Sequence, residues 1–132
     1  MMISSRGRYA LRVMIDLAEN TRNGGILPLS DISARLDISR KYLEAIMTSL
    51  AKADLVESQP GKAGGYRLTR SPEDYTALDI LVLTEGTLAP VSCVEKGCGE
   101  HHDCPSLPLW EGLDKVIRDY LTSVSLADLA KG

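Results

Sequence analysis

The chain has 132 residues, 44% of them hydrophobic, and a formal net charge of −3. This length allows one core of ordinary size, and no apolar run approaches the ~18 residues that a membrane-spanning helix needs. No basic segment followed by an apolar stretch stands at the start, so we expect a cytoplasmic protein without a secretory signal or membrane contact.

The charge is distributed unevenly along the chain. Residues 1–70 hold eleven Lys and Arg against seven Asp and Glu, whereas residues 71–132 hold four against eleven. The total charge alone would argue against nucleic acid as a partner. Its distribution instead favours a polyanion-binding module in the first half, joined to a separate sensing or pairing module.

Three helices are predicted in the first half. Apolar residues recur at helical spacing from Arg8 to Ala18, and turn residues follow from Asn20 to Gly25. A second, short helix begins near Leu29, and residues 37–39 connect it tightly to a third helix, for which Ser39 is a suitable N-cap. This arrangement is a helix-turn-helix, in which the start of the later helix meets base edges in the major groove. Candidate DNA-contacting residues at that start are Arg40, Lys41, Tyr42 and Glu44.

A β-hairpin is predicted directly after this motif. Residues 54–58 and 65–69 have the character of short strands, and a Gly- and Pro-rich segment lies between them. A hairpin in this place is a wing, whose tip can lay Lys62 and backbone N–H groups on phosphate, with Arg67 nearby. Gly64 permits close approach to DNA, although hairpin geometry alone also explains it. Residues 1–72 are therefore predicted to be a winged helix-turn-helix DNA-binding domain.

Residues 73–132 are predicted to form a sensing and dimerisation region. Thr76 and Asp79 have capping-box spacing at the start of a helix that ends at Gly86. A long helix is predicted from about Leu109 to Val124, followed by a short helical turn. Its wide apolar stripe favours pairing with the same helix of a second subunit, and folding back on its own domain is the alternative. Candidate dimerisation residues are Trp110, Leu113, Ile117, Tyr120, Leu121 and Val124.

All three cysteines, Cys93, Cys98 and Cys104, lie within one polar segment that also holds both histidines, His101 and His102. Such a concentration of soft ligands is best explained by a prosthetic group, because an odd number of cysteines cannot be fully paired in one chain. Zinc and an iron–sulfur cluster accept the same ligands, and the spacing does not choose between them. A redox thiol pair and three unrelated cysteines are further alternatives. An enzyme with a cysteine nucleophile is not favoured, since nothing outside the segment supplies a base.

Several stretches resemble the Rrf2 family of bacterial winged-helix regulators. They are the start M-M-I-S-S-R-G-R-Y-A-L-R, the segment I-S-R-K-Y-L-E, the wing G-K-A-G-G-Y-R-L, the cysteine triplet and the following P-L-W-E-G-L-D-K-V-I-R-D-Y-L. Together they cover nearly the whole chain. The type that the chain resembles most is the IscR-like iron–sulfur cluster regulator, which represses or activates cluster-assembly genes according to its own cluster occupancy. The family's cysteine-metabolism repressors lack the triplet.

The resemblance implies a homodimer that binds a double-stranded DNA operator and holds a 2Fe–2S cluster on the three cysteines. It implies base contacts from the third helix, with Ser39 among them, and places Pro28 near the DNA backbone. IscR-like regulators take a fourth ligand from a histidine at the position of Leu107, so either His101 or His102 is expected to supply it here or the site is weaker or differently built. The expected fold is mainly α, with a two-stranded wing and a long C-terminal dimerisation helix. A zinc-binding or thiol-redox regulator without a cluster is the alternative function.

Overall fold

The computed structural model of the chain describes residues 2–21, 24–96 and 104–130, with the backbone alone described at position 96. The helices are α1 (Ser5–Asn20), α2 (Leu29–Leu36), α3 (Arg40–Lys52), α4 (Ala77–Glu85), α5 (Ser92–Lys96), α6 (Leu107–Ser123) and α7 (Leu126–Leu129). Between α3 and α4 lie strands β1 (Val56–Gln59) and β2 (Gly65–Leu68) and a 3-10 turn at Pro72–Asp74. The prediction of a mainly α fold with a two-stranded antiparallel wing is confirmed. In the described ranges, no helix is long and apolar enough to cross a membrane.

The predicted helix caps are present and explain where the helices begin. The Ser39 hydroxyl accepts a hydrogen bond from the Tyr42 backbone N–H at 3.2 Å. Before it, α2 stops at Asp37, whose φ of 54° lies in the left-handed region and breaks the helix. Thr76 and Asp79 form the reciprocal capping box, with N···O distances of 3.0 and 3.1 Å. The tight turn before α3 therefore follows from local chemistry.

Three elements begin at a different residue from the predicted one, each for a local reason. The first helix begins three residues earlier, because the Ser4 hydroxyl caps it by accepting from the Gly7 N–H at 3.0 Å. The first strand begins only at Val56, since Asp54 has a φ of 61° and belongs to the preceding turn. The long helix begins before Pro108, which is tolerated in the first turn because its missing N–H would have no intrahelical partner there.

Two adjacent glycines allow close backbone contacts, Gly64 within the wing and Gly65 between the wing and the segment before α2. A Cβ on Gly64 would lie 2.0 Å from the Gln59 carbonyl oxygen, and a Cβ on Gly65 would lie 2.2 Å from the Leu27 carbonyl oxygen. Leu27 and Tyr66 exchange two backbone hydrogen bonds, at 2.9 and 2.8 Å, which tie the wing to the segment before α2. Only glycine fits at these positions, so the wing has a fixed attachment.

The hydrophobic core contains residues from both predicted regions. Tyr75, Ile80 and Leu126 are fully buried in the same cluster as Met14 and Leu17 of α1. Helices α4 and α7 both pack on α1, whereas no residue of α6 is fully buried. The winged helix and the elements directly after it thus share one core, and α6 lies at its edge.

A partly buried ion pair joins α1 to α2. The Arg35 guanidinium donates from Nε and Nη2 to the two carboxylate oxygens of Asp16, each at 2.9 Å. The side chain of Asp16 is only 8% exposed, and that of Arg35 is 40% exposed. The hydrogen bond to Asp16 is the main reason that the pKa of Arg35 is raised, and burial opposes it. This bidentate contact fixes the crossing of the first two helices.

Candidate DNA interface and cysteine segment

A cleft of about 570 Å³ lies between the start of α3 and the wing. Pro28 lines it just before α2, Arg40 and Glu44 line it from α3, and Lys62 and Gly64 line it from the wing tip. Three separate segments predicted to contact DNA therefore border one concave surface. A cleft of this size can receive a stretch of one sugar–phosphate strand, and the contacts of α3 with base edges and of the wing with phosphates stay predictions.

The start of α3 is exposed beside an aromatic contact that the sequence pattern does not predict. Ser39 and Lys41 are exposed, and Tyr42, which is 38% exposed, meets the Tyr9 ring edge-on at 5.7 Å. The Arg12 guanidinium lies 5.7 Å from the centre of the Tyr9 ring. Tyr9 and Arg12 are three positions apart on α1, and this spacing alone predicts that they lie on the same face of the helix. Together these side chains extend a basic and aromatic surface beyond α3.

The two basic residues of the wing have different surroundings. Lys62 is exposed at the tip, where a phosphate could approach it from solvent. Arg67 stands opposite Glu57 in the hairpin register, and its Nε donates to the Glu57 carboxylate. Both side chains of this pair are about half exposed. The charge of Arg67 is thus partly compensated within the wing, and that of Lys62 is the more available to DNA.

The cysteine segment is described at its two ends. Cys93 lies on α5 and Cys104 lies just before α6, and both side chains are partly buried. Helices α5 and α6 pack against each other, so the two cysteines stand on neighbouring elements. Cys98, His101 and His102 lie outside the described residues. Within the described part of the chain, no three His, Cys, Asp or Glu side chains are grouped as a metal site.

Cys104 has a polar contact at the start of α6. Its Sγ lies 3.1 Å from the Ser106 hydroxyl oxygen, which also accepts a hydrogen bond from Trp110 Nε1 at 3.2 Å. The backbone N–H of Leu107 donates to the Cys104 carbonyl oxygen at 3.1 Å. An isobutyl side chain offers no ligand atom to a metal, so position 107 cannot complete a site here.

The predicted apolar stripe of α6 divides into two faces. The first face is half-buried against the rest of the chain and consists of Trp110, Ile117, Leu121 and Val124. Exposed on a second face are Leu109 at 63%, Leu113 at 40%, Val116 at 65% and Tyr120 at 65%. The sequence pattern missed this division because both faces are apolar. The exposed residues follow one another at steps of three and four positions, so they form one continuous apolar strip along the helix.

Comparisons with known proteins agree with this architecture. The profile of the Rrf2 family, described as iron-dependent transcriptional regulators, matches residues 3–132. A candidate HTH-type transcriptional regulator of Neisseria meningitidis is 40% identical, over 98% of this chain and 87% of its own length. The HTH-type transcriptional regulator IscR of Aliivibrio salmonicida is 36% identical, over 98% of this chain and 77% of its own length.

Two solved structures have the same fold as this chain. CymR, the global cysteine regulator of B. subtilis, superposes with a TM-score of 0.81 at 35% identity, covering 98% of this chain and 96% of CymR. The structure of T. potens IscR superposes with a TM-score of 0.78 at 33% identity, covering 98% of this chain and 85% of that one. The two scores are close, so the fold alone does not distinguish an IscR-like from a CymR-like regulator.

Proposed function

The chain belongs to the Rrf2 family of transcriptional regulators, and we propose that it is an IscR-like member whose operator affinity depends on a 2Fe–2S cluster. Cys93, Cys98 and Cys104 would hold the cluster. The observation that carries this proposal is the placement of Cys93 on α5 and of Cys104 three positions before α6, two helices that pack together. A group bound by both would join the cysteine segment to the helix with the exposed apolar strip.

The donor set suits an iron–sulfur cluster. Three thiolates are the soft ligands that such clusters prefer, and both described cysteines are partly buried rather than enclosed, which leaves a path for assembly. A histidine can replace cysteine on one iron, and His101 and His102 are candidates for the fourth ligand. When bound, the cluster would link its ligand residues to one another. Oxidation or iron shortage would remove the cluster and with it this link.

The same proposal includes a homodimer formed through α6. The exposed strip of Leu109, Leu113, Val116 and Tyr120 is the apolar surface that a second copy would cover. A two-fold dimer would present two copies of α3 to two half-sites of an operator. Because the two subunits would pair through α6, a change at the start of this helix would alter the distance between the two copies of α3. A coupling of ~1–3 kcal/mol between ligand occupancy and DNA binding corresponds to a roughly 5–150-fold change in operator affinity. We propose iron–sulfur cluster assembly genes as the targets.

A second candidate function follows from the CymR structure. Its close superposition allows a regulator of the same fold that responds to thiol chemistry without a cluster. Zinc on the cysteines or a redox-active pair of thiols would then replace the cluster. This function shares the DNA interface with the first and differs in the cysteine segment alone.

Metal content of protein purified without oxygen separates the two functions. About two irons and two sulfides per subunit, with visible charge-transfer absorption, are expected for the cluster, whereas a colourless protein with zinc or no metal would contradict it. Cys98→Ala should abolish the absorption and change operator affinity, and the matched control Ser92→Ala, on the exposed side of α5, should change neither. His101→Ala and His102→Ala, compared individually, test the fourth ligand by the shift of the absorption spectrum.

A further inference from the structure

Ser106 occupies the N-cap position of α6, but its side chain does not cap the helix. The first-turn N–H groups have other acceptors: that of Leu107 donates to the Cys104 carbonyl at 3.1 Å, and that of Leu109 to the Ser106 carbonyl at 3.0 Å. Between them, Pro108 has no N–H to satisfy. The helix start therefore does not require the Ser106 hydroxyl, which is unusual for a serine at this position.

The hydroxyl instead lies between a cysteine and the indole of the chain's single tryptophan. Ser106 Oγ is 3.1 Å from Cys104 Sγ and 3.2 Å from Trp110 Nε1. An indole N–H can only donate, so Ser106 Oγ is its acceptor. A thiolate can only accept, so the hydroxyl must donate its own proton to the sulfur once Cys104 is deprotonated or bound to a metal. The two hydrogen bonds then run in one direction, from Trp110 through Ser106 to Cys104, and strengthen each other.

We propose that Ser106 is a positioning residue that orients Cys104 and lowers the electron density on its sulfur through these two consecutive hydrogen bonds. Insofar as Cys104 is a cluster ligand, the inference rests on the proposed function. Hydrogen bonds to the ligand sulfurs are among the factors that set the reduction potential of an iron–sulfur cluster, and each raises it by stabilising the more negative, reduced state. The two hydrogen bonds also connect Cys104 to Trp110, which is half-buried on α6. They therefore give this helix a contact that depends on the state of Cys104.

The hydrogen bonds can be tested without any cluster. Because the chain has one tryptophan, the indole N–H gives a single, unambiguous signal in a ¹H–¹⁵N spectrum of the reduced apo protein. Ser106→Ala should shift that signal and make it exchange faster with water, whereas Ser106→Thr should preserve it. Ser123→Ala, at the other end of α6, is the matched control and should leave the signal unchanged. An indole signal unaffected by Ser106→Ala would overturn the proposal.

The link to Cys104 needs a second measurement. In a Cys93→Ser, Cys98→Ser background, alkylation of Cys104 should move the indole signal when residue 106 is Ser or Thr, but not when it is Ala. In cluster-loaded protein, Ser106→Ala should lower the reduction potential and Ser106→Thr should restore it. A protein that takes up no iron would refute the proposed function, while the alkylation experiment would still decide the role of Ser106. An unchanged potential in loaded Ser106→Ala protein would refute the influence of Ser106 on the cluster.

Discussion

The carboxylate of Glu85, the last residue of α4, accepts hydrogen bonds from both the backbone N–H and the hydroxyl of Ser4, the N-cap of α1, at 2.9 and 2.7 Å. In an ordinary capping box this carboxylate belongs to the third residue of the same helix, which here is Gly7. A Cβ on Gly7 would lie 2.3 Å from Glu85 Oε1. The helix that leads towards the cysteine segment thus completes the cap of the first helix of the chain.

Replacement of Glu85 by Ala should lower the free energy of unfolding by about 1 kcal/mol, because the Ser4 N–H loses its acceptor and α1 loses a negative charge at its N-terminus. Urea denaturation with an unchanged m-value measures the effect. Gly7→Ala should weaken the same contact, since the new methyl group displaces the flexible end of the Glu85 side chain, and the higher helix propensity of Ala offsets part of the loss. Glu111→Ala, an exposed glutamate on α6, is the control and should change stability by much less. Equal effects of Glu85→Ala and Glu111→Ala would contradict this assignment.

Tyr75 connects the base of the wing to the C-terminal end of the chain. Its buried hydroxyl donates to the Leu55 carbonyl at 2.7 Å and accepts from the Thr69 N–H at 2.9 Å, and its carbonyl accepts from Leu126 N–H at 2.9 Å. Tyr75→Phe leaves the Leu55 carbonyl and the part-buried N–H groups of Thr69 and Arg70 without this partner and should cost about 2 kcal/mol. Hydrogen exchange should show faster opening of β2. Tyr42→Phe, on an exposed tyrosine at the start of α3, should alter neither measurement.

The ion pair between Asp16 and Arg35 should stabilise the fold, and its contribution to the free energy of unfolding should not change with pH near neutrality. Asp16→Asn removes a nearly buried charge partner and weakens a bidentate contact, so a loss of about 2 kcal/mol is expected by thermal or urea unfolding. A raised pKa in the folded state means that Arg35 contributes its stability at all pH values below its ordinary pKa and loses it only in strong alkali. The difference between wild type and Asp16→Asn should therefore stay constant from about pH 6 to 9. A difference that disappears within this range would contradict the prediction.

Local features of the fold could be predicted from the sequence, and contacts between distant residues could not. The caps at Ser39 and Thr76 follow from residues three positions apart, and the wing follows from glycines between two short strands. The contact of Glu85 with Ser4 has no local signal, because it joins residues 81 positions apart. The same holds for Tyr9 against Tyr42. The DNA-facing residues and the cysteine ligands stay predictions, since phosphate contact and ligation are properties of complexes with DNA and metal.

Lys62 and Arg67 should contribute differently to DNA binding. If Lys62 contacts one phosphate, Lys62→Ala should lower the slope of log K against log salt concentration by about 0.9 and weaken binding to all sequences similarly. Arg67→Ala should have a smaller effect, because Glu57 already compensates its charge. Fluorescence anisotropy titrations at several salt concentrations measure both slopes. Lys52→Ala, at the C-terminal end of α3, is the control for loss of one positive charge. A slope for Lys62→Ala equal to that of Lys52→Ala would remove Lys62 from the interface.

The exposed strip on α6 should hold two copies of the chain together. Val116→Glu places a charge in the middle of this strip, where it would have to be buried without a partner, so the dimer should dissociate at micromolar concentrations. Sedimentation velocity measures the change in mass. Because Val116 is 65% exposed in the single chain, the variant should keep its circular dichroism spectrum. Lys115→Glu, one position away on the polar side of α6, should remain dimeric despite its larger change in charge. If both variants keep the mass of wild type, α6 is not the dimer interface. If both lose operator affinity while they are still dimeric, the helix acts on DNA binding by a route other than pairing.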